Sequence, residues 1–199
     1  MQYFKRLKRG CDPAPLLAEL GSIDAVWAEQ TGRQIAVQVQ REALAVPLRG
    51  MVKSAQGERA RRDVHESRWT SGSQRLPLFQ EFLKQVAAEE DGVLGRAKIV
   101  CLPAGRQVYP HSDRGEYYKV RNRYHFVLKS TEGSWLKAGD EEVRMQAGEL
   151  WWFDNKAVHE ARNDGEEDRI HLIFDLLPRH LEAEVMRASR KARRASLEA

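Results

Sequence analysis

Beyond Gly92 the chain is a succession of short apolar or alternating runs, and each run ends in a turn signal. The runs are Arg96 to Leu102, Gln107 to Asp113, Arg121 to Leu128, Trp135 to Leu136, Glu142 to Met145, Leu150 to Phe153, Ala157 to Asn163 and Arg169 to Leu176. Pro103-Ala104-Gly105, Glu132-Gly133-Ser134, Ala138-Gly139-Asp140, Ala147-Gly148 and Asn163-Asp164-Gly165-Glu166 separate them, and Pro178 closes the last. Short strands at such regular spacing predict a mainly β fold, a sandwich or barrel of the jelly-roll type, with flanking helices.

The first half reads differently. Leu16 to Glu29 has apolar positions near helical spacing, interrupted by Gly21-Ser22, which predicts one or two short helices. Gln34 to Gln40 alternates and predicts a strand, with Ala43 to Leu48 as its continuation or partner. Val52 to Gln74 is polar and strongly charged; a loop of that length is a lid over a site or a disordered insertion. Leu78 to Glu89 places Leu78, Phe79, Phe82, Leu83 and Val86 on one stripe of a helix that should pack on the sheet. From Arg179 to Ala199 a weak apolar stripe and many bases predict a helical tail. The expected organisation is one jelly-roll domain over 1–178 and a basic tail over 179–199.

Composition narrows this reading. At 199 residues and 42% hydrophobic, the chain can bury one sizeable core and is short for two domains. A net charge of +4 permits a nucleic-acid partner without implying one. Cys11 and Cys101 lie far apart and outside any CxxC pattern, so neither a disulfide framework nor a zinc site is expected, and a reduced cytoplasmic setting fits. No apolar run approaches the roughly 20 residues needed to span a bilayer, so no membrane partner is expected.

The chemistry concentrates between Gly105 and Arg169. In an extended strand His111 and Asp113 point the same way, and His159 on a later strand supplies a third ligand. Two imidazoles and a carboxylate on one side of a metal, with open positions opposite, suit ferrous iron in oxygen-activating enzymes. Arg169 shares a strand face with His171, Ile173 and Asp175; pointed into a barrel, its charge needs an anion, and its planar fork matches a carboxylate. Arg121, Arg123 and His125 share a face of another strand. Two cationic positions facing one cavity point to a ligand with two carboxylates, and 2-oxoglutarate is one.

From Ile99 to Asp175 the chain resembles the aspartyl/asparaginyl β-hydroxylase family of iron(II)- and 2-oxoglutarate-dependent dioxygenases. The matching residues are Leu102-Pro103-Ala104-Gly105, Pro110-His111-Ser112-Asp113, Arg121-Asn122-Arg123-Tyr124-His125, Gly148-Glu149-Leu150-Trp151-Trp152-Phe153-Asp154, His159-Glu160-Ala161-Arg162-Asn163 and Arg169. The resemblance implies a cupin-like double-stranded β-helix in which His111 and His159 bind iron, Arg169 holds the distal carboxylate of 2-oxoglutarate, and Arg123 and His125 sit beside its metal-proximal end. Animal members of the family lack the carboxylate ligand. Asp113 makes this ligand set more similar to that of the bacterial proline cis-hydroxylases.

The implied activity is hydroxylation of an unactivated carbon of an amino acid, free or within a peptide or protein, with dioxygen and 2-oxoglutarate as cosubstrates. Two other readings stand beside it. One is a cupin-like metal-binding isomerase or sensor that does not use 2-oxoglutarate. The other is a binding module whose basic tail docks on nucleic acid or a ribosome. Oligomeric state leaves no trace in the pattern.

Overall fold

The computed structural model describes residues 1–23, 26–27, 38–51 and 64–198. Its strands are β1 (Phe4–Lys8), β2 (Leu44–Gly50), β3 (Arg68–Trp69), β4 (Gly92–Leu102), β5 (Arg106–His111), β6 (Asn122–Lys129), β7 (Ser134–Ala138), β8 (Glu141–Val143), β9 (Leu150–Phe153), β10 (His159–Asn163) and β11 (Arg169–Pro178). They form a seven-stranded sheet in the order β1-β9-β6-β11-β4-β2-β3 and a four-stranded sheet in the order β5-β10-β7-β8. All pairings are antiparallel. Two facing antiparallel sheets with strands alternating between them are the jelly roll that the turn spacing predicts.

Alternation along each strand of the large sheet sorts side chains into two layers. Tyr124, Phe126, Leu128, Leu172 and Phe174 face helix α2 (Pro77–Glu89), where they pack with Phe79, Leu83 and Val86. Val100, Leu102, Val127, Trp151 and Phe153 face the small sheet, meeting Leu136, Ala138, Val143 and Ala161. Complete burial of each large side chain is worth about 1.5–3 kcal/mol against exposure, so both layers hold the central strands in register. Helix α2 begins with a proline, and its first free amides, Leu78 N–H and Phe79 N–H, donate to the Glu19 carboxylate at 2.9 and 3.2 Å. Glu19 lies on helix α1 (Ala14–Gly21), which stops where Gly21-Ser22 interrupts the periodicity.

Several elements depart from the sequence pattern. The N-terminus adds a strand outside the expected set: β1 pairs with β9, and Phe4 is buried and stacks on Phe153 at 6.1 Å between ring centres. Of the expected strand over 34–40, residues 34–37 lie outside the described residues, and Gln38–Gln40 form a 3-10 turn. The Ala43 to Leu48 run becomes β2, paired with β4 and β3. In the expected long loop, 52–63 lie outside the described residues; beyond them β3 adds an edge and Gly72–Arg75 make a 3-10 turn. A four-residue helix, α3 (Glu116–Lys119), follows the ligand strand. The basic tail is helix α4 (Glu182–Glu198). Among the described residues, no helix is long and apolar enough to cross a membrane.

Candidate metal centre

Strand register brings the two histidines together. His159 on β10 lies directly opposite His111 on β5, and their ring centres are 4.3 Å apart. Asp113 arrives by a different route from the expected one. Strand β5 ends at His111, so simple alternation does not carry the chain to Asp113. Instead, Asp113 N–H donates to Asn155 C=O at 2.9 Å, tying the segment after β5 to the turn before β10. Ligand atoms of His111, Asp113 and His159 all lie within 4.8 Å of one another.

Both imidazoles are oriented from behind. His111 Nδ1 lies 2.7 Å from Tyr109 C=O, and His159 Nδ1 lies 2.9 Å from Ala157 C=O. A carbonyl only accepts, so each Nδ1 carries the proton and each Nε2 keeps its lone pair for an ion. Burial pushes the His159 pKa down to about 4, so its ring is neutral at pH 7. Burial pushes the Asp113 carboxyl up, but the Arg123 charge and the Asn155 hydrogen bond together hold it below the usual value. Two imidazoles, each presenting Nε2, and a carboxylate, one atom each, are the donor set that a ferrous ion takes in oxygenases.

His111 and His159 line a cleft, and the ligand atom of Asp113 lies within 4.8 Å of theirs. Arg123, His125 and Arg169 also line it, with Lys98, Leu136 and Glu160. Arg169 is 3% exposed, and its Nη2 has no hydrogen-bond partner among the described residues. Burial alone pulls its pKa down to about 10, and it remains a cation at neutral pH. An unpaired guanidinium at this depth costs several kcal/mol unless an anion meets it, so the cleft fits a carboxylate ligand as well as a metal.

Arg123 is a cation of another kind. Its Nε donates to Asp175 Oδ1 at 2.9 Å, its Nη2 to Asp175 Oδ2 at 3.2 Å, and its Nη1 to Asp113 Oδ2. Burial opposes its charge, yet Asp175 and Asp113 hold its pKa well above the ordinary value.

His125 and His171 are both buried, and burial, with Arg169 adding to it, keeps both neutral. Their Nδ1 atoms are 3.2 Å apart, so one donates to the other. His171 Nε2 is buried without a partner. An orphaned acceptor is tolerated more readily than an orphaned N–H, which assigns the Nδ1 proton to His171. His125 then accepts at Nδ1 and offers its Nε2–H to the cleft, as a donor suited to an anion.

Arg121 lies apart from the cleft, bonded to His65 and to Tyr117 C=O. Asp175 and Asn155 carried no role in the sequence reading. Asp175 had a signal, since it shares the Arg169 strand face and β6 runs beside it; Asn155 sits in a turn and had none.

The profile of the aspartyl/asparaginyl beta-hydroxylase family matches residues 54–178. Among curated proteins, L-proline cis-3-hydroxylase 1 of Streptomyces sp. is 28% identical over 110 residues, 54% of this chain and 37% of that protein. L-proline cis-4-hydroxylase of Rhizobium meliloti (strain 1021) is 31% identical over 78 residues, 39% of this chain and 28% of that protein. The chain therefore aligns with about a third of the length of these relatives. Among solved structures, a Trichoplax adhaerens prolyl hydroxylase, in complex with a hypoxia inducible factor oxygen degradation domain peptide fragment, superposes with a TM-score of 0.54 at 12% identity. That superposition covers 90% of this chain and 86% of the other, a likeness of fold.

Proposed function

Because the chain belongs to the aspartyl/asparaginyl beta-hydroxylase family, we propose that it is an iron(II)- and 2-oxoglutarate-dependent dioxygenase that hydroxylates an unactivated carbon of an amino acid, free or in a peptide or protein. One observation carries this reading: the two histidines of a triad able to hold iron, His111, Asp113 and His159, line a cleft together with a buried arginine whose Nη2 has no partner among the described residues.

In this reading His111 Nε2, Asp113 and His159 Nε2 would hold the iron. Bound iron supplies the activation of dioxygen that couples decarboxylation of 2-oxoglutarate, to succinate and carbon dioxide, to oxidation of a substrate C–H bond. Arg169 takes the distal carboxylate of 2-oxoglutarate through its planar fork. His125 donates its Nε2–H near the metal-proximal end, with Arg123 bordering the same region. Phe153, its ring centre 5.0 Å from that of His125 and 5.1 Å from that of His159, keeps the floor between them apolar. The matched relatives act on L-proline by name, and the Trichoplax structure holds a peptide, which supports an amino-acid or peptide substrate here.

The test is succinate release with iron(II), 2-oxoglutarate and a panel of amino acids and peptides, compared with His111→Ala and Asp113→Ala. Both variants should lose substrate-stimulated turnover. Wild-type rates in both would remove the proposal.

A further inference from the structure

The carboxylate of Asp113 carries its side-chain hydrogen bonds on one oxygen. Arg123 Nη1 and Asn155 Nδ2, the latter at 2.9 Å, both donate to Oδ2, and among the described residues Oδ1 accepts from no side chain. Neither donor is loose. Arg123 is gripped through Nε and Nη2 by Asp175, which is 2% exposed and lies directly opposite it across β6 and β11. Asn155, 1% exposed, is locked by the return bond from Asp113 N–H to its own carbonyl. This fixation has a physical reason. Strand β5 stops at His111, so no sheet ladder holds the backbone at Asp113.

Resting on the iron reading above, we propose that Asp175, Arg123 and Asn155 are positioning residues that make Asp113 a one-oxygen ligand. Oδ1 faces the metal, Oδ2 faces the clamp, and Arg123 serves the metal through Asp113 instead of touching the cosubstrate. A carboxylate free to turn would have to be ordered each time an ion binds. With Oδ2 twice occupied by donors, Asp113 is aimed before the metal arrives. Oxygen-activating chemistry thus depends on two side chains, Asp175 and Asn155, that touch neither metal nor substrate.

The experiment titrates the full chain with manganese(II), reading free ion by electron paramagnetic resonance, and then measures 2-oxoglutarate affinity at saturating manganese by calorimetry. Asn155→Ala and Asp175→Asn should each weaken manganese binding about 10–100-fold, with 2-oxoglutarate affinity at saturating metal unchanged. Asn155→Asp sets a second carboxylate against Oδ2 and should weaken it more than Asn155→Ala does. Arg123→Lys should not rescue, because an ammonium cannot bridge two carboxylates as a guanidinium fork does. Asp175→Asn leaves a buried arginine half-paired and risks unfolding, so circular dichroism accompanies it and the Asn155 pair decides alone if it fails.

Unchanged manganese affinity in the Asn155 variants overturns the clamp. So does weakened 2-oxoglutarate with unchanged manganese in Arg123→Lys, which makes Arg123 a direct contact. A wild-type chain that binds no manganese, or binds it equally after His111→Ala, removes the iron reading itself.

Discussion

Replacing Arg169 with methionine should make the protein more stable and disable its cleft at the same time. The side chain is 3% exposed, Nη2 has no partner among the described residues, and burial alone pulls the pKa down from the ordinary arginine range to about 10. At about 1.36 kcal/mol per power of ten in proton affinity, holding the charge there costs roughly 3 kcal/mol. Methionine keeps the length, drops the charge and packs against the neighbouring apolar layer, so about 1–3 kcal/mol of that cost should return as stability. For a chain of this size each kcal/mol moves the melting temperature by about 2–4 °C, giving a rise of roughly 3–10 °C without ligand.

The loss on the ligand side is larger. Two charge-assisted hydrogen bonds to a carboxylate, at about 1.5–3 kcal/mol each, amount to roughly a 10²–10⁴-fold weaker 2-oxoglutarate complex. Thermal unfolding with manganese(II), with and without 2-oxoglutarate, reads both effects in one series. The wild type should gain stability with cosubstrate, and the variant should start higher and gain almost none. A variant that melts below the ligand-free wild type, or that 2-oxoglutarate still stabilises fully, would refute the unpaired-cation reasoning.

Two further outcomes follow from groups around the cleft. Burial holds the His159 pKa at about 4 and puts His125 and His171 well below the ordinary value, so all three fold as neutral rings. Their contribution is present above the unfolded value near 6.5 and fades as pH falls toward 4, because the unfolded chain takes up protons first. His159 alone should cost about 2 kcal/mol between pH 7 and pH 5, a sizeable share of a typical 5–15 kcal/mol, with His125 and His171 acting in the same direction, and urea titrations of metal-free protein that stay flat down to pH 5 would contradict this. Gly148 has φ +78°, its carbonyl accepts Cys11 N–H at 3.0 Å, and a Cβ there would overlap the Cys11 carbonyl oxygen. Gly148→Ala should lose about 1–3 kcal/mol and speed Cys11 thiol labelling, whereas unchanged labelling would mean that this contact does not pin the N-terminal segment.

The central strands were legible because burial on both faces of the large sheet imprints a pattern on each strand alone. Phe126 and Leu128 declare one face of β6 and His125 and Val127 the other, whatever the neighbours are. The edges were not legible. β1 offers Phe4 and Leu7 among bases, and β3 is two residues long; each is a strand because β9 and β2 present open backbone to it. His111 and His159 could be paired in advance as ligands, but the directness of their approach is a register fact between β5 and β10. Asp113 was legible for the wrong geometric reason: alternation was expected to aim it, and a bond to a turn 42 residues away does so.

Charge alone could not separate the two buried arginines of the cleft; their partners do. Arg123 and Arg169 both point between the sheets from neighbouring strands of one layer, and both are under 10% exposed. Arg123 has met its charge requirement internally, with two aspartates, and a guanidinium so committed adds rigidity and offers little to an incoming anion. Among the described residues Arg169 has an unpartnered nitrogen, its pKa is lowered, and in the proposed function that discomfort is what an arriving carboxylate would relieve. Sequence reasoning assigned both to the cosubstrate because it saw two cations on inward faces. Asp175, one strand over and in register with Arg123, separates the two: one guanidinium is paired inside the protein, and the other is left to meet its requirement from the cleft.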